Sequence, residues 1–201
     1  MDATLGEWMT VHNATLSARD VEEGFRRTVG DLIQDRERGF NHWAGTEDSV
    51  MLVWASRIYE FLVVLESVLS YPPARGFCRE VGYRSGHEGA VATLKGSVAK
   101  SGRQVQSLLA MPGVLAGAGW GTSELLYDDS TAGVRWTFPR GTAVGAAARR
   151  AGPRKTPACA FFEGFGSGWV KGSAGADLEM VEIECIGQGD DACRFESSSL
   201  G

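Results

Sequence analysis

Three of the chain's four cysteines, Cys159, Cys185 and Cys193, fall in its last third, with two carboxylates, Glu182 and Glu184, just ahead of Cys185. No other stretch restricts the fold as much. Thiolates together with a carboxylate form the donor set of a closed tetrahedral zinc site, and such a site ties together segments far apart in sequence. The spacing is mechanically workable. Glu182 and Cys185 can flank a strand end, and Gly187, Gly189 and Asp190 form a turn that returns Cys193 to Cys185. Cys159 is predicted at the start of a helix, where amides and the macrodipole favour a thiolate. The spacing is not one of the common CxxC zinc patterns, so two buried free cysteines and an incidental third form the competing reading.

The string G-F-G-S-G at 164–168, followed by V-E-I-E-C-I-G-Q-G-D-D-A-C-R-F at 181–195, resembles the closing half of the 4-vinyl reductase domain. That domain occurs alone and as the sensor of phenol- and toluene-responsive bacterial activators. The likeness is strong over about forty residues and weak over 75–197. It implies Cys159, Glu182, Cys185 and Cys193 as zinc (Zn2+) ligands, with Glu184 beside the site or facing solvent. Four protein ligands leave no open coordination position, which makes such an ion structural. The resemblance also implies a fold similar to that of vesicle-tethering complex subunits, commonly dimeric through its helices. It places a ligand contact at Phe138, with Trp136 two residues earlier on the same strand face. With Phe161, Phe165 and Trp169 these side chains suit a hydrophobic small molecule, and they suit a plain aromatic core equally. The aromatic-sensing relatives hold a phenol hydroxyl with a histidine. No histidine follows His87 here, so the chain departs from that pattern.

At 201 residues and 43% hydrophobic content the chain suits one domain with a real core, or one domain with an added arm. A net charge of -5 argues against nucleic-acid binding. Arg149, Arg150, Arg154 and Lys155 read as a short solvated cluster. The opening M-D-A-T-L-G-E-W lacks the pattern of a secretory signal. The most apolar run, 50–69, contains Arg57, Glu60 and Glu66, which argues against a membrane span. Cysteines grouped as metal ligands suit a reducing compartment, so a cytoplasmic protein is expected.

Along the chain, 1–16 reads as an extended arm or short strand, and Ser17 with Asp20 opens a helix predicted to run to about 36. Residues 1–45 form an N-terminal helical arm suited to dimerisation or partner contact, and 46–201 form the ligand-binding domain. The longest helix is predicted over 47–69, too apolar for one stripe and so buried in the core or at a dimer interface. Tyr71, Pro72 and Pro73 end it, and another helix covers 75–95. There G-Y-R-S-G-H-E-G at 82–89 echoes G-F-G-S-G-W-V-K at 164–171, with small residues at helical spacing that permit close approach. A short helix at 101–111 closes at Pro112, and 113–121 is a glycine-rich loop without the ending of a phosphate-binding loop. Residues 122–128 and 133–138 form a hairpin, 141–151 a short surface helix, and a helix beginning at Thr156 and Pro157 carries Cys159. A second hairpin joins 178–186 to 192–196. The sum is an α+β domain, an antiparallel sheet of two hairpins packed on several helices.

The residues support a sensor, carrier or accessory subunit that binds a hydrophobic or aromatic molecule, as a homodimer or with a partner protein. An enzyme or enzyme subunit of small-molecule (natural-product or tetrapyrrole) biosynthesis is the alternative, and a scaffold subunit the third. No G-x-S-x-G elbow occurs, and His87 beside Glu88 is the one acid–base candidate weighed.

Overall fold

The computed structural model describes residues 13–15, 32–35, 40–43, 49–50, 55–95, 104–128 and 133–199. The larger sheet holds β1 (Asn13–Thr15), β5 (Glu124–Asp128), β6 (Gly133–Phe138), β7 (Leu178–Glu184) and β8 (Cys193–Ser199). Its order is β1-β5-β6-β8-β7, antiparallel at every pairing. The expected α+β class and both hairpins are present. The hairpins merge because β6 pairs with β8, which sets Phe138 opposite Cys193. A smaller sheet contains β2 (Leu32–Asp35), β3 (Phe40–Trp43) and β4 (Ser49–Val50). The helices are α1 (Ala55–Leu69), α2 (Tyr71–Lys95), α3 (Gln104–Gly117), α4 (Ala143–Ala151) and α5 (Ala160–Ala174).

Several helical expectations need correction. Leu32–Asp35 is a strand, so the helix expected to reach 36 does not; residues 17–31 lie outside the described residues. Backbone pairing with Phe40–Trp43 a few residues on overrides the helical spacing of apolar residues. The long helix begins at Ala55 instead of 47, and Ser49 and Val50 pair with His42 and Asn41. Nor is it buried on most sides: Phe61, Val64 and Val68 are 52%, 58% and 75% exposed. Ser70, at φ 66, breaks the chain between α1 and α2. Pro72 and Pro73 then occupy the first turn of α2, where a missing N–H costs no helical bond. Helix α3 continues through Pro112 to Gly117. Burial of Met111 and Leu115 in the core outweighs the local cost of the proline, and the glycine-rich loop is correspondingly shorter.

Helix α5 lies between the sheet and α2. Its contact with α2 is backbone to backbone. A Cβ added at Gly82 or Gly86 would overlap the carbonyl oxygens of Phe161 and Phe165, and one at Gly164 or Gly168 those of Arg79 and Tyr83. The two echoed glycine strings are thus the two faces of one helix–helix contact. On the sheet side, Trp136, Phe138, Phe162, Trp169, Met180 and Phe195 are fully buried. Among the described residues, no helix is long and apolar enough to cross a membrane.

Candidate functional site

Strand β7 sends Leu178, Met180 and Glu182 inward by simple alternation. A regular strand would then turn Cys185, three residues after Glu182, outward. The register shifts between Glu182 and Glu184, and the bulge leaves Ile183 49% exposed while Glu182 and Cys185 both face inward. The chain then turns tightly, with Gln188 and Asp190 donating to the Cys185 carbonyl and Asp190 Oδ2 accepting from Cys185 N at 2.8 Å. This turn delivers Cys193 to the start of β8. Cys159 occupies the N-cap of α5.

The ligand atoms of Cys159, Glu182, Cys185 and Cys193, all four buried, lie within 4.8 Å of one another. Cys159 Sγ is 3.8 Å from Cys193 Sγ. Two sulfurs on metal bonds of ~2.3 Å at the tetrahedral angle stand about 3.8 Å apart. Glu182 Oε2 accepts from Cys159 N at 3.0 Å, whereas its buried Oε1 has no partner among the described residues. Ala158 N–H points at Cys185 Sγ, 3.5 Å away. Glu184 instead pairs with Arg194 at 2.7 Å. The donor set, its spacing and the free carboxylate oxygen therefore fit a four-coordinate metal ion.

The electrostatics differ from the sequence expectation in one respect. Cys159 is not the thiolate: burial pushes its thiol well above the ordinary range, and hydrogen bonding to Cys185 and Cys193 adds to this. Cys193, accepting hydrogen bonds from Cys159 and Cys185, is lowered to about 4. Burial raises the Glu182 carboxyl well above its usual value, and the neighbouring Cys185 reinforces the effect. The amides at the start of α5 still serve the cluster, through Cys185 and Glu182.

Sequence reasoning missed three supports of the cluster. Thr142 caps α4 by accepting from Gly145 N at 2.9 Å, leaving its hydroxyl proton for Cys159 Sγ at 3.1 Å. Gly145 lets α4 approach, since a Cβ there would lie 2.9 Å from Cys193 Sγ. Glu163, fully buried on α5, accepts from Glu182 N at 2.8 Å and is held by Arg75 at 2.5 and 3.1 Å. The one available signal for Glu163 was a lone acid in an otherwise apolar helix. Arg154 also departs from expectation. It is not solvated, but pairs with Glu66, lies over the Tyr59 ring and donates its backbone N–H to Gly187 O.

The aromatic candidates belong to one ring cluster. Trp136 and Phe138 lie 4.6 Å apart, and Phe165 and Trp169 5.5 Å. Phe161 joins through Phe162 and Trp120, two partners the sequence did not single out. Trp136 Nε1 is buried without a partner among the described residues. His87 is stacked on Tyr83; His42 lies in β3, and His12 lies outside the described residues.

The fold and cluster define an α+β domain with a buried Cys3Glu site. Residues 146–198 match the family model of the 4-vinyl reductase (V-4-R) domain, so the resemblance seen in the sequence holds over that segment. In fold the chain is similar to the phenol-responsive sensory domain of the transcription activator PoxR, solved with phenol: TM-score 0.74, 20% identity, 92% of each chain covered. A vinyl-4-reductase family protein from Methanocaldococcus jannaschii aligns with TM-score 0.48 and 15% identity over 91% of this chain and 94% of that one. None of the curated proteins matches the chain.

Proposed function

We propose that the chain is a small-molecule-binding domain whose last third is pinned by a structural zinc ion, acting as a sensor, carrier or accessory subunit. The observation that carries the binding reading is the Trp136 indole N–H, buried among aromatic rings with no acceptor among the described residues. An unpaired buried donor costs about 1–3 kcal/mol, and an oxygen of a bound molecule recovers it. The surrounding rings of Phe138, Phe161, Phe165 and Trp169 suit an aromatic or apolar body. Likeness in fold to a domain solved with phenol supports that ligand class.

Cys159, Glu182, Cys185 and Cys193 would hold the zinc. With four protein donors its contribution is to bind the β7–β8 hairpin to the start of α5. That closure favours binding over an enzymatic role, and free thiols suit the cytoplasm. Exposed Phe61, Val64, Val68 and Phe77 favour assembly through α1 and α2, as a homodimer or with a partner protein.

Titration with phenol and toluene, followed by native mass spectrometry, tests the binding reading. Trp136→Phe keeps the ring and removes the donor. It is expected to weaken phenol about tenfold and to leave toluene unchanged. Absence of uptake of either compound, or equal affinities in the variant, contradicts the reading.

A further inference from the structure

Strand β7 ends the larger sheet, so alternate backbone N–H groups along it have no neighbouring strand. Two side chains of α5 take their place. Ser167 Oγ accepts from Met180 N at 2.9 Å, and Glu163 Oε1 accepts from Glu182 N at 2.8 Å. The match is metric: four helical residues rise about 6 Å, and two strand residues advance about 6.7 Å. The two acceptors are not equivalent. Ser167 is a neutral hydroxyl braced on its own helix, donating to Glu163 O at 2.7 Å. Glu163 is a fully buried carboxylate gripped by the Arg75 fork from α2, with Arg79 Nε 3.6 Å away. A carboxylate is costly to bury, and a hydroxyl or amide would satisfy one amide equally well. The distinguishing feature is its target. Glu182 opens the bulge at Ile183, where the ladder is interrupted, and its carboxylate is the cluster's oxygen donor.

We propose that Glu163, clamped by Arg75, is the positioning residue of the metal centre. By holding Glu182 N–H at the bulge, it fixes the strand backbone so that the Glu182 carboxylate meets the three thiols. Helix α2 thereby enters the support of the metal centre without contributing a ligand. Tyr71 belongs to the same group. Burial raises its phenol, with Arg75 opposing and Glu163 and Glu182 adding to the rise. This inference rests on the metal-centre part of the proposed function.

The test measures zinc affinity by chelator competition and records the absorption spectrum of the cobalt-substituted protein. It compares the unaltered chain with Glu163→Ala, Glu163→Gln and Ser167→Ala. Loss of a support one step beyond a ligand lowers metal affinity about 10–100-fold. Glu163→Ala is expected to show that loss with shifted cobalt bands. Glu163→Gln, which keeps an acceptor for Glu182 N–H, should recover most of the affinity. Ser167→Ala, which removes only the Met180 bond, should match the unaltered chain. Equal affinity and spectrum in Glu163→Ala, or an equal loss in Ser167→Ala, overturns the positioning role while leaving the metal reading intact. Failure of the unaltered chain to take up zinc or cobalt overturns both. Should Glu163→Ala not fold, Arg75→Met replaces it, with at least about a tenfold loss expected and no change overturning the proposal.

Discussion

The Sγ atoms of Cys159 and Cys193, 34 residues apart in sequence, stand 3.8 Å from each other where the start of α5 meets the start of β8. Around that pair the carboxylate of Glu182 and the thiol of Cys185 close a buried four-donor cluster. The cluster joins a helix to a hairpin at a junction with little other covalent or ionic support.

Removing one donor should therefore be felt as loss of folding. Cys185→Ser or Cys193→Ser is expected to lose the metal and to destabilise the β7–β8 hairpin by more than about 3 kcal/mol, because site formation and folding are coupled. Thermal unfolding with and without a chelator checks this. The variants should melt like chelator-treated unaltered protein.

Zinc binding should release protons. Burial holds the Cys159 thiol and the Glu182 carboxyl above their ordinary values, whereas Cys193 is already a thiolate. Zinc must displace protons from the first two, so apparent affinity is expected to fall as pH falls. Calorimetry in buffers of different ionisation enthalpy should detect protons from Cys159 and Glu182 and none from Cys193.

Without metal, two contributions to stability oppose each other. Glu182 has a folded value raised above 4.5, so its contribution is full below 4.5 and is lost as pH rises through the folded value. Cys193, lowered from 9.0 to about 4, contributes stability that is full above 9 and lost as pH falls towards 4. Glu182→Gln removes the first contribution. The metal-free variant should show stability rising more steeply with pH above 4.5 than the unaltered metal-free chain. Denaturant titrations across pH check the slope.

The α2–α5 contact tolerates no side chain. Gly86→Ala or Gly168→Ala would drive a methyl group into the facing carbonyl oxygen of Phe165 or Tyr83. Each should cost about 1–3 kcal/mol through forced separation of the helices. Gly76→Ala, which meets nothing within 4 Å on the same helix, should be neutral or slightly stabilising. Urea midpoints decide the comparison.

Arg154→Ala should loosen α1 without emptying the cluster. It removes the partner of Glu66, which is 19% exposed, and the cation over Tyr59. About 2 kcal/mol of stability should be lost, with faster hydrogen exchange over Ala55–Leu69 and unchanged zinc content.

The four donors are legible in the sequence because thiols and carboxylates gathered in one short segment are uncommon without a shared partner. The residues alone do not separate Glu182 from Glu184. Strict alternation places Glu182 and Cys185 on opposite faces, and only the bulge at Ile183 reverses this. Glu163 is illegible because its partners, Arg75 and the Glu182 amide, come from elements distant in sequence. The glycine echo points to two similar helices, and its meaning as a mutual contact emerges only in the fold. Helix α3 passing Pro112 and strand β2 replacing a helix share one cause: packing and strand pairing outweigh local propensity.

Metal content of the purified chain, measured by elemental analysis together with native mass spectrometry, tests the central claim most directly. The account predicts about one zinc per chain, lost when Cys159, Glu182, Cys185 or Cys193 is replaced. A folded protein that carries no zinc, and takes up none when it is supplied, would contradict it.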